Sequence, residues 1–560
     1  MTLTHEDSAG NLTTTTSTTF TTNMAATIPV RAAPLAVAQA HFVPLALAAL
    51  LVLGVLQLGR TWWRLRHIPG PFLARFTNLQ RIFWVKTTRA HLILQEEHAR
   101  HGEVVRIGPN TVSISNPEVL PVIYTTRTGF PKSDFYPTLQ GYTPNGGKLE
   151  AIFNTTSDDV HKTLKGPIAP LFTLANVPYL EPRVDEVLEC LRDKLDSHFV
   201  QNNVVVNLGQ WAQYFAFDVM GTLTFSKRYG FLDTGKDVGN MLQNIVHFMR
   251  VSAPYTQIPW FDKLARKNRV GDFLQRILGL QASMGIVAFV GKAIADKKQQ
   301  RAEQGAKLTA ANDANDDKYG RGKDFLTRYI EIVEKDSSVP PWAPVAWTFS
   351  NVIAGSDSVG SLMGTTLFNL LQYPHTLDAL YRELRDANVS MPFPKWSEVR
   401  NLPYLDACVQ EGVRMHPPFN LPFERVVPKG GITILGRFLP EGTVVGGSPF
   451  VVNRHKGWFG DDADFWRPER WLEKDEAHKK KLEQGILTFG GGRRICLGRY
   501  VGILEIKKLI PFLILNYDIR IVDPERFQVE NSWFFFQSGL WATMKKRPQP
   551  EQPEPPAPTA

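Results

Sequence analysis

The spacing of apolar positions changes character along the chain. Residues 1–30 are polar and Thr-rich (NLTTTTSTTFTT), show no apolar period, and are predicted to be disordered. From Ala32 to Gly59 no residue carries a formal charge. The densest part, Phe42 to Gly59, has about the ~18–20 residues a helix needs to cross the hydrocarbon core. Arg60, Arg64 and Arg66 follow, with Trp62 and Trp63 between them, a pattern suited to the cytosolic interface of a retained anchor. A cleaved signal peptide would begin nearer the first residue and end at a small-residue site. The expected order is a lumenal tail 1–41 with a glycosylation acceptor at Asn11-Leu-Thr, an anchor 42–59, a basic linker 60–68, a folded body 69–546 and a Pro-rich tail 547–560.

Within the body most segments repeat their apolar residues with the helical period. Val184–Phe199, Phe325–Lys335, Val345–Leu371 and Gly498–Leu515 are predicted helices. Val104–Ser115 (VVRIGPNTVSIS) reads as two short strands about a Gly-Pro turn, and Ile68-Pro-Gly-Pro71 as a stiff turn after the anchor. Arg301–Lys323 has no core-forming run and reads as a surface loop, and there is no internal repeat. Length alone favours two or more domains.

Composition narrows the picture. Hydrophobic residues make up 43% and charged residues 21%, as in a globular body. The net charge of +9 is spread thinly, with no basic block and no zinc-finger spacing, so nucleic acid is not expected as a partner. A basic face for an acidic protein or an anionic membrane fits better. The three cysteines, Cys190, Cys408 and Cys496, are odd in number and far apart, which argues against a disulfide framework and for a reducing compartment.

One of them has a distinctive setting. In Phe489-Gly-Gly-Gly-Arg-Arg-Ile-Cys-Leu-Gly498 the glycines permit a tight loop that a large flat ligand can approach. Loop amides, the helix beginning near Gly498, and Arg493 and Arg494 are all expected to lower the pKa of the Cys496 thiol. The segment fits neither the GxxxxGK(S/T) nor the GxGxxG phosphate pattern, and a structural buried cysteine is the plainer alternative. Glu411 and Arg414, at i and i+3, share a helix face. Glu97-His-Ala-Arg-His101 lacks a second ligand cluster and is not read as a metal site.

Phe489, Gly492, Arg494, Cys496 and Gly498 match F-x-x-G-x-R-x-C-x-G, which resembles the haem-binding signature of the cytochrome P450 superfamily. Glu411-Gly-Val-Arg414 resembles its E-x-x-R pair, and Phe465-Trp-Arg-Pro-Glu-Arg-Trp471 its P-E-R-F segment with Trp for Phe. Ala354-Gly-Ser-Asp-Ser-Val359 resembles its A-G-x-D-T-T stretch. The resemblance runs from about Pro69 to Lys546. Its wording (HIPGPFLARFTNL, FPKSDFY) is most similar to microsomal fungal members acting on secondary metabolites.

The resemblance implies a mainly α fold with small β-sheets, one large unit preceded by a transmembrane helix. It implies haem b (iron protoporphyrin IX) ligated by Cys496, with His161, Lys165, Arg425 and Arg494 on its carboxylates. Glu411, Arg414 and Arg470 would form a buried network. Asp357 and Ser358 would deliver protons, and Gly355 would let the central helix bend towards the bound ligand. Phe419, Leu421, Phe423, Phe534, Phe535 and Phe536 fall in segments that line substrate pockets in the family. The implied reaction inserts one oxygen atom of O2 into an apolar small molecule. Electrons would come from NADPH through cytochrome P450 reductase, docked near Arg493, Arg499, Lys507 and Lys508. The expected location is the endoplasmic reticulum membrane, single-pass, with the body in the cytosol. Ser358 and Val359 stand where two threonines are usual. This keeps open a haem-thiolate isomerase, dehydratase or ring-forming enzyme, and a non-enzymatic haem carrier or sensor is a further alternative.

Overall fold

The computed structural model describes residues 33–548 except 128, 143–147, 267, 269, 272, 274–276, 278–285, 305–321 and 474. The tails 1–32 and 549–560, with Asn11, and most of the expected loop 301–323 lie outside the described residues. The chain divides into two units, Met1–Arg60 and Thr61–Ala560.

A helix begins at Ala33 and runs to Arg64, so residues 60–64 of the expected linker are helical. Its described leucines and valines between Leu45 and Leu58 are exposed. The side chains of several residues in the expected anchor, Phe42 and Val43 among them, lie outside the described ones. Among the described residues no helix is long and apolar enough to cross a membrane.

The second unit is built round the helix Ala343–Gln372, called here the central helix. It is apolar on nearly every face, as a helix enclosed by others must be, and Trp347, Val352, Leu362, Met363 and Leu367 are all buried. The helix that packs most extensively against it is Leu208–Phe225. A Cβ at Gly355 would lie 2.7 Å from Met220 Sδ, and one at Gly360 2.7 Å from Gln213 Oε1. The two helices approach this closely because those positions carry no side chain. The helices Val177–Leu195, Phe325–Lys335, Pro403–Met415 and Arg499–Asn516 complete the helical body.

The sheets are small. Val104–Gly108 and Thr111–Ile114 pair antiparallel about the expected Gly108-Pro109 turn. Val444–Gly446 adds in parallel to the second of these, and Arg425–Val426 pairs antiparallel with Val444–Val445 at the edge. That edge accepts one more segment: Val426 N–H donates to Pro131 O, and Lys132 bridges Arg425 antiparallel. This pairing places two cations from distant parts of the chain side by side. A second hairpin, Gln528–Ser532 with Phe534–Ser538, packs against the central helix. Pro524–Arg526, the second Pro-Glu-Arg, is a single 3-10 turn.

Candidate active site

The cysteine loop connects a short segment at Leu487–Thr488 to the helix Arg499–Asn516. Gly490 and Gly492 adopt positive φ (69° and 59°), the left-handed region that glycine enters without strain. A Cβ at Gly491 would lie 2.8 Å from Tyr124 Cβ, so this part of the loop is tight against Tyr124. Gly492 is likewise packed on the Tyr124 and Thr125 carbonyls. Cys496 N–H donates to Phe489 O at 2.8 Å, closing the turn, and Gly498 caps the helix that follows.

Cys496 is exposed, yet it lies deep enough for burial to dominate its thiol. Both hold if the sulfur faces a space inside the fold. Burial pushes the thiol up, while the amides of Gly498 and Arg499 and the charges of Arg499 and Lys165 pull it down. The lowering expected from the loop amides is present, but in the protein alone burial outweighs it and the net direction is upward. Arg493 and Arg494 do not reach the sulfur as expected, because both guanidiniums turn to Asp158, at 2.5 and 2.8 Å.

Beside the loop is a cluster of cations. Arg425 is buried, donates to Tyr136 Oη at 2.9 Å and lies over the rings of Tyr124 and Tyr136. Arg494 donates to the Thr155 and Ser157 carbonyls as well as to Asp158, and its Nε is buried without a partner. Lys165 donates to Arg493 O at 2.8 Å. His161 is buried and pushed down to about 3 by burial and by Arg494, Lys165 and Lys132. Lys132 was not singled out in the sequence, although it stands in FPKSDFY. Its ammonium donates to Phe153 O and sits 3.9 Å from the Tyr136 ring centre. Burial, Arg425 and Arg494 push it well below the usual lysine range.

Buried cations normally carry counter-anions, because an uncompensated buried charge is costly. Among the described residues, Arg493 and Arg494 are the cations of this cluster that pair with a carboxylate, and they share Asp158. The donor set therefore fits an anionic ligand at Lys132, Arg425 and Arg494, next to an accessible sulfur suited to a soft metal. A haem, with an iron for the thiolate and carboxylates for the cations, satisfies both.

On the central helix the acid and the alcohol are separated. Adjacent helical residues point about 100° apart, and Asp357 is buried against Leu208–Phe225 while Ser358 is partly accessible. Ala354, one turn earlier on the Ser358 side, is exposed on a helix otherwise largely buried. Ser358 Oγ donates to Ala354 O, so in this rotamer it can accept a hydrogen bond from outside but not give one. Asp357 Oδ1 accepts from Gln213 Nε2 at 2.5 Å, its Oδ2 has no partner, and burial pushes the carboxyl up to about 7. In the structure Gly355 permits a close approach of the central helix to Met220.

Glu411, Arg414 and Arg470 come together as a closed network. Arg414 Nε and Nη2 donate to the two Glu411 oxygens at 2.9 and 2.8 Å, and Arg470 Nε to Oε1 at 3.0 Å. Trp471 Nε1 donates to Oε2 at 2.9 Å, a contact phenylalanine could not make. The aromatic segments divide. Phe419 stacks on Phe423 with centres 5.3 Å apart and meets Phe534 and Phe153 edge-on. Phe535 points to the other face of its strand and packs on His91 and His416. Of the four residues expected in a basic docking face, the two lysines are corrected. Lys507 and Lys508 are buried, held by Asp406 and by Glu181 and Asp185. His98, from the histidine pair set aside above, bonds Gly102 O and Ser113 Oγ.

The sequence profile of the cytochrome P450 family matches residues 69–539. Cytochrome P450 monooxygenase mfmA of Annulohypoxylon moriforme is 68% identical over 506 residues, 90% of this chain and 97% of that protein. Cytochrome P450 monooxygenase asR2 of Sarocladium schorii is 47% identical over 504 residues, 89% of this chain and 96% of that protein. Cytochrome P450 monooxygenase mpaDE of Penicillium brevicompactum is 51% identical over 88% of this chain, which spans 56% of that longer protein. A cysteine loop with an accessible sulfur, a set of buried cations with too few anions and a profile match over most of the chain agree: the chain belongs to the cytochrome P450 family.

Proposed function

We propose that this haem-thiolate monooxygenase holds haem b through Cys496 and takes electrons from NADPH through cytochrome P450 reductase. We propose further that it works at the endoplasmic reticulum membrane with its body in the cytosol. The observation that carries the cofactor reading is the accessible Cys496 sulfur beside Lys132, Arg425 and Arg494, cations without enough anions. When bound, the thiolate-ligated haem supplies dioxygen activation, the thiolate favouring O–O cleavage. Lys132, Arg425 and Arg494 would neutralise its carboxylates. Phe419, Phe423 and Phe534 present an apolar aromatic surface that suits an apolar substrate and excludes water. Asp357 holds a proton near neutral pH, and Ser358 accepts a hydrogen bond on the accessible face.

Ser358→Ala tests the proton-delivery part. Haem content should be nearly unchanged, while NADPH consumption yields hydrogen peroxide in place of product. Loss of a positioned proton-transfer group typically costs ~10²–10⁴-fold in the step it serves. Unchanged product per NADPH would remove Ser358 from the relay.

The membrane reading is supported by the uncharged run Ala32–Gly59 and the arginines after it. It is also supported by an exposed apolar surface on the body, where Phe72, Phe76, Leu79 and Phe83 are exposed, as are Trp260 and Leu264. The helix carrying Leu79 and Phe83 packs beside Tyr255–Gln257, which leads to Trp260. Protease added to intact microsomes is expected to digest the body; its protection would reverse the topology.

A further inference from the structure

Asp357 is the only ionisable residue in the sequence of the central helix, and a single neighbour engages it. Gln213, on Leu208–Phe225, donates its amide N–H to Asp357 Oδ1 at 2.5 Å. Gln213 is keyed into the helix pair: a Cβ at Gly360 would lie 2.7 Å from its Oε1 and 2.9 Å from its Cα. The other carboxyl oxygen, Oδ2, is buried and has no partner.

We propose that Gln213 is a positioning residue for Asp357, holding its carboxyl in the interhelical contact and setting how readily that carboxyl gives up its proton. The inference rests on the reading of Asp357 as the acid that serves oxygen activation. A hydrogen-bond donor favours the ionised carboxylate over the neutral acid, whereas burial favours the neutral acid. For Asp357 burial is the larger influence, and Gln213 is what opposes it.

Charged groups on the surrounding helices act elsewhere. On Leu208–Phe225, Tyr214 accepts from Gln210 and Asp218 is held by the amides of Gly230, Phe231 and Leu232. Tyr329 accepts from Asn351, and Lys297 on Ile286–Gln304 pairs with Asp324. Glu411 and Arg414 on Pro403–Met415 pair with each other. On Arg499–Asn516, Lys507 and Lys508 are paired and Glu505 is buried. None of these moves the Asp357 proton.

The test uses the full-length holoenzyme and Gln213→Met, which keeps the length of the side chain and removes the donor. Infrared difference spectra across pH follow the carbonyl stretch of the protonated carboxyl, assigned by its loss in Asp357→Asn. With the donor gone the proton should be kept to higher pH. The midpoint should rise by about one pH unit, the size expected for losing one charge-assisted hydrogen bond. The midpoint of product per NADPH should rise with it. Gln213→Glu should also raise the midpoint, because two carboxyls in one site do not both ionise. If Gln213→Met loses haem, Gln213→Glu decides. An unmoved infrared midpoint in a variant that retains haem and melting temperature overturns the proposal. If the infrared midpoint moves while Asp357→Asn leaves product per NADPH unchanged at every pH, the relay reading of Asp357 fails and the positioning by Gln213 stands.

Discussion

Cys496→Ala is expected to remove the red-shifted band of the reduced carbon monoxide complex and to reduce turnover to background. The sulfur is the accessible one in the protein: Cys408 is buried and Cys190 only partly accessible. Chemistry separates them further. Burial pushes the Cys190 thiol up to about 11 and the Cys408 thiol well above its usual value, so both stay protonated. Cys496 is also pushed up by burial, but two backbone amides and two cations, Arg499 and Lys165, favour its thiolate, and none of these depends on the cysteine side chain. The alanine variant therefore keeps the loop, whose Cys496 N–H to Phe489 O bond is backbone only. Loss of the band should occur without global unfolding. Cys496→Ser keeps the shape and replaces a soft sulfur with a hard oxygen, so it should lose the band as well. Cys408→Ala and Cys190→Ala should keep it. A normal band in Cys496→Ala would refute the assignment.

How far the sequence carried the description depended on whether a role is local. The central helix was expected at Val345–Leu371 and is found at Ala343–Gln372, because its apolar residues surround the whole helix. The cysteine loop was legible for a similar reason: its glycines, arginine and cysteine act within ten consecutive residues. Strands of two or three residues, such as Arg425–Val426 and Val444–Gly446, are too short to show a period. Lys132 became a site residue only through the Lys132–Arg425 bridge, a pairing no spacing rule reveals. Gln213 is similar, since its partner lies on another helix. Lys507 and Lys508 read as surface charge because lysines usually are, and their carboxylate partners come from two other helices. Trp471 looked like a mild departure until its N–H was seen on Glu411.

Glu411→Gln should cost about 3–5 kcal/mol of stability, the range for removing one partner of a buried ion pair. Glu411 is fully buried and accepts five hydrogen bonds, from Arg414 twice, from Arg470, from Trp471 and from the Arg467 amide at 2.9 Å. Burial alone would raise its carboxyl, but Arg414 and Arg470 more than reverse this and hold it below the ordinary range. Glutamine removes the charge that two buried guanidiniums face and turns an NH2 group towards N–H donors. The loss should reach the cysteine loop by a traceable route. Asn453 Nδ2 donates to Arg414 O at 3.1 Å and to Thr488 Oγ1 at 2.8 Å, and Asn453 Oδ1 accepts from Leu487 N–H. Thr488 Oγ1 donates to Val413 O at 2.7 Å, one residue before the loop begins at Phe489. Loosening Arg414 therefore loosens the segment that positions Cys496. The variant should unfold at lower denaturant and retain less haem. Trp471→Phe, which removes one donor and keeps the charges, should lose only about 1–3 kcal/mol. Denaturant midpoints and haem content measured together check both. A Glu411→Gln loss under 1 kcal/mol, with full haem, would mean that the network does not hold the loop in place.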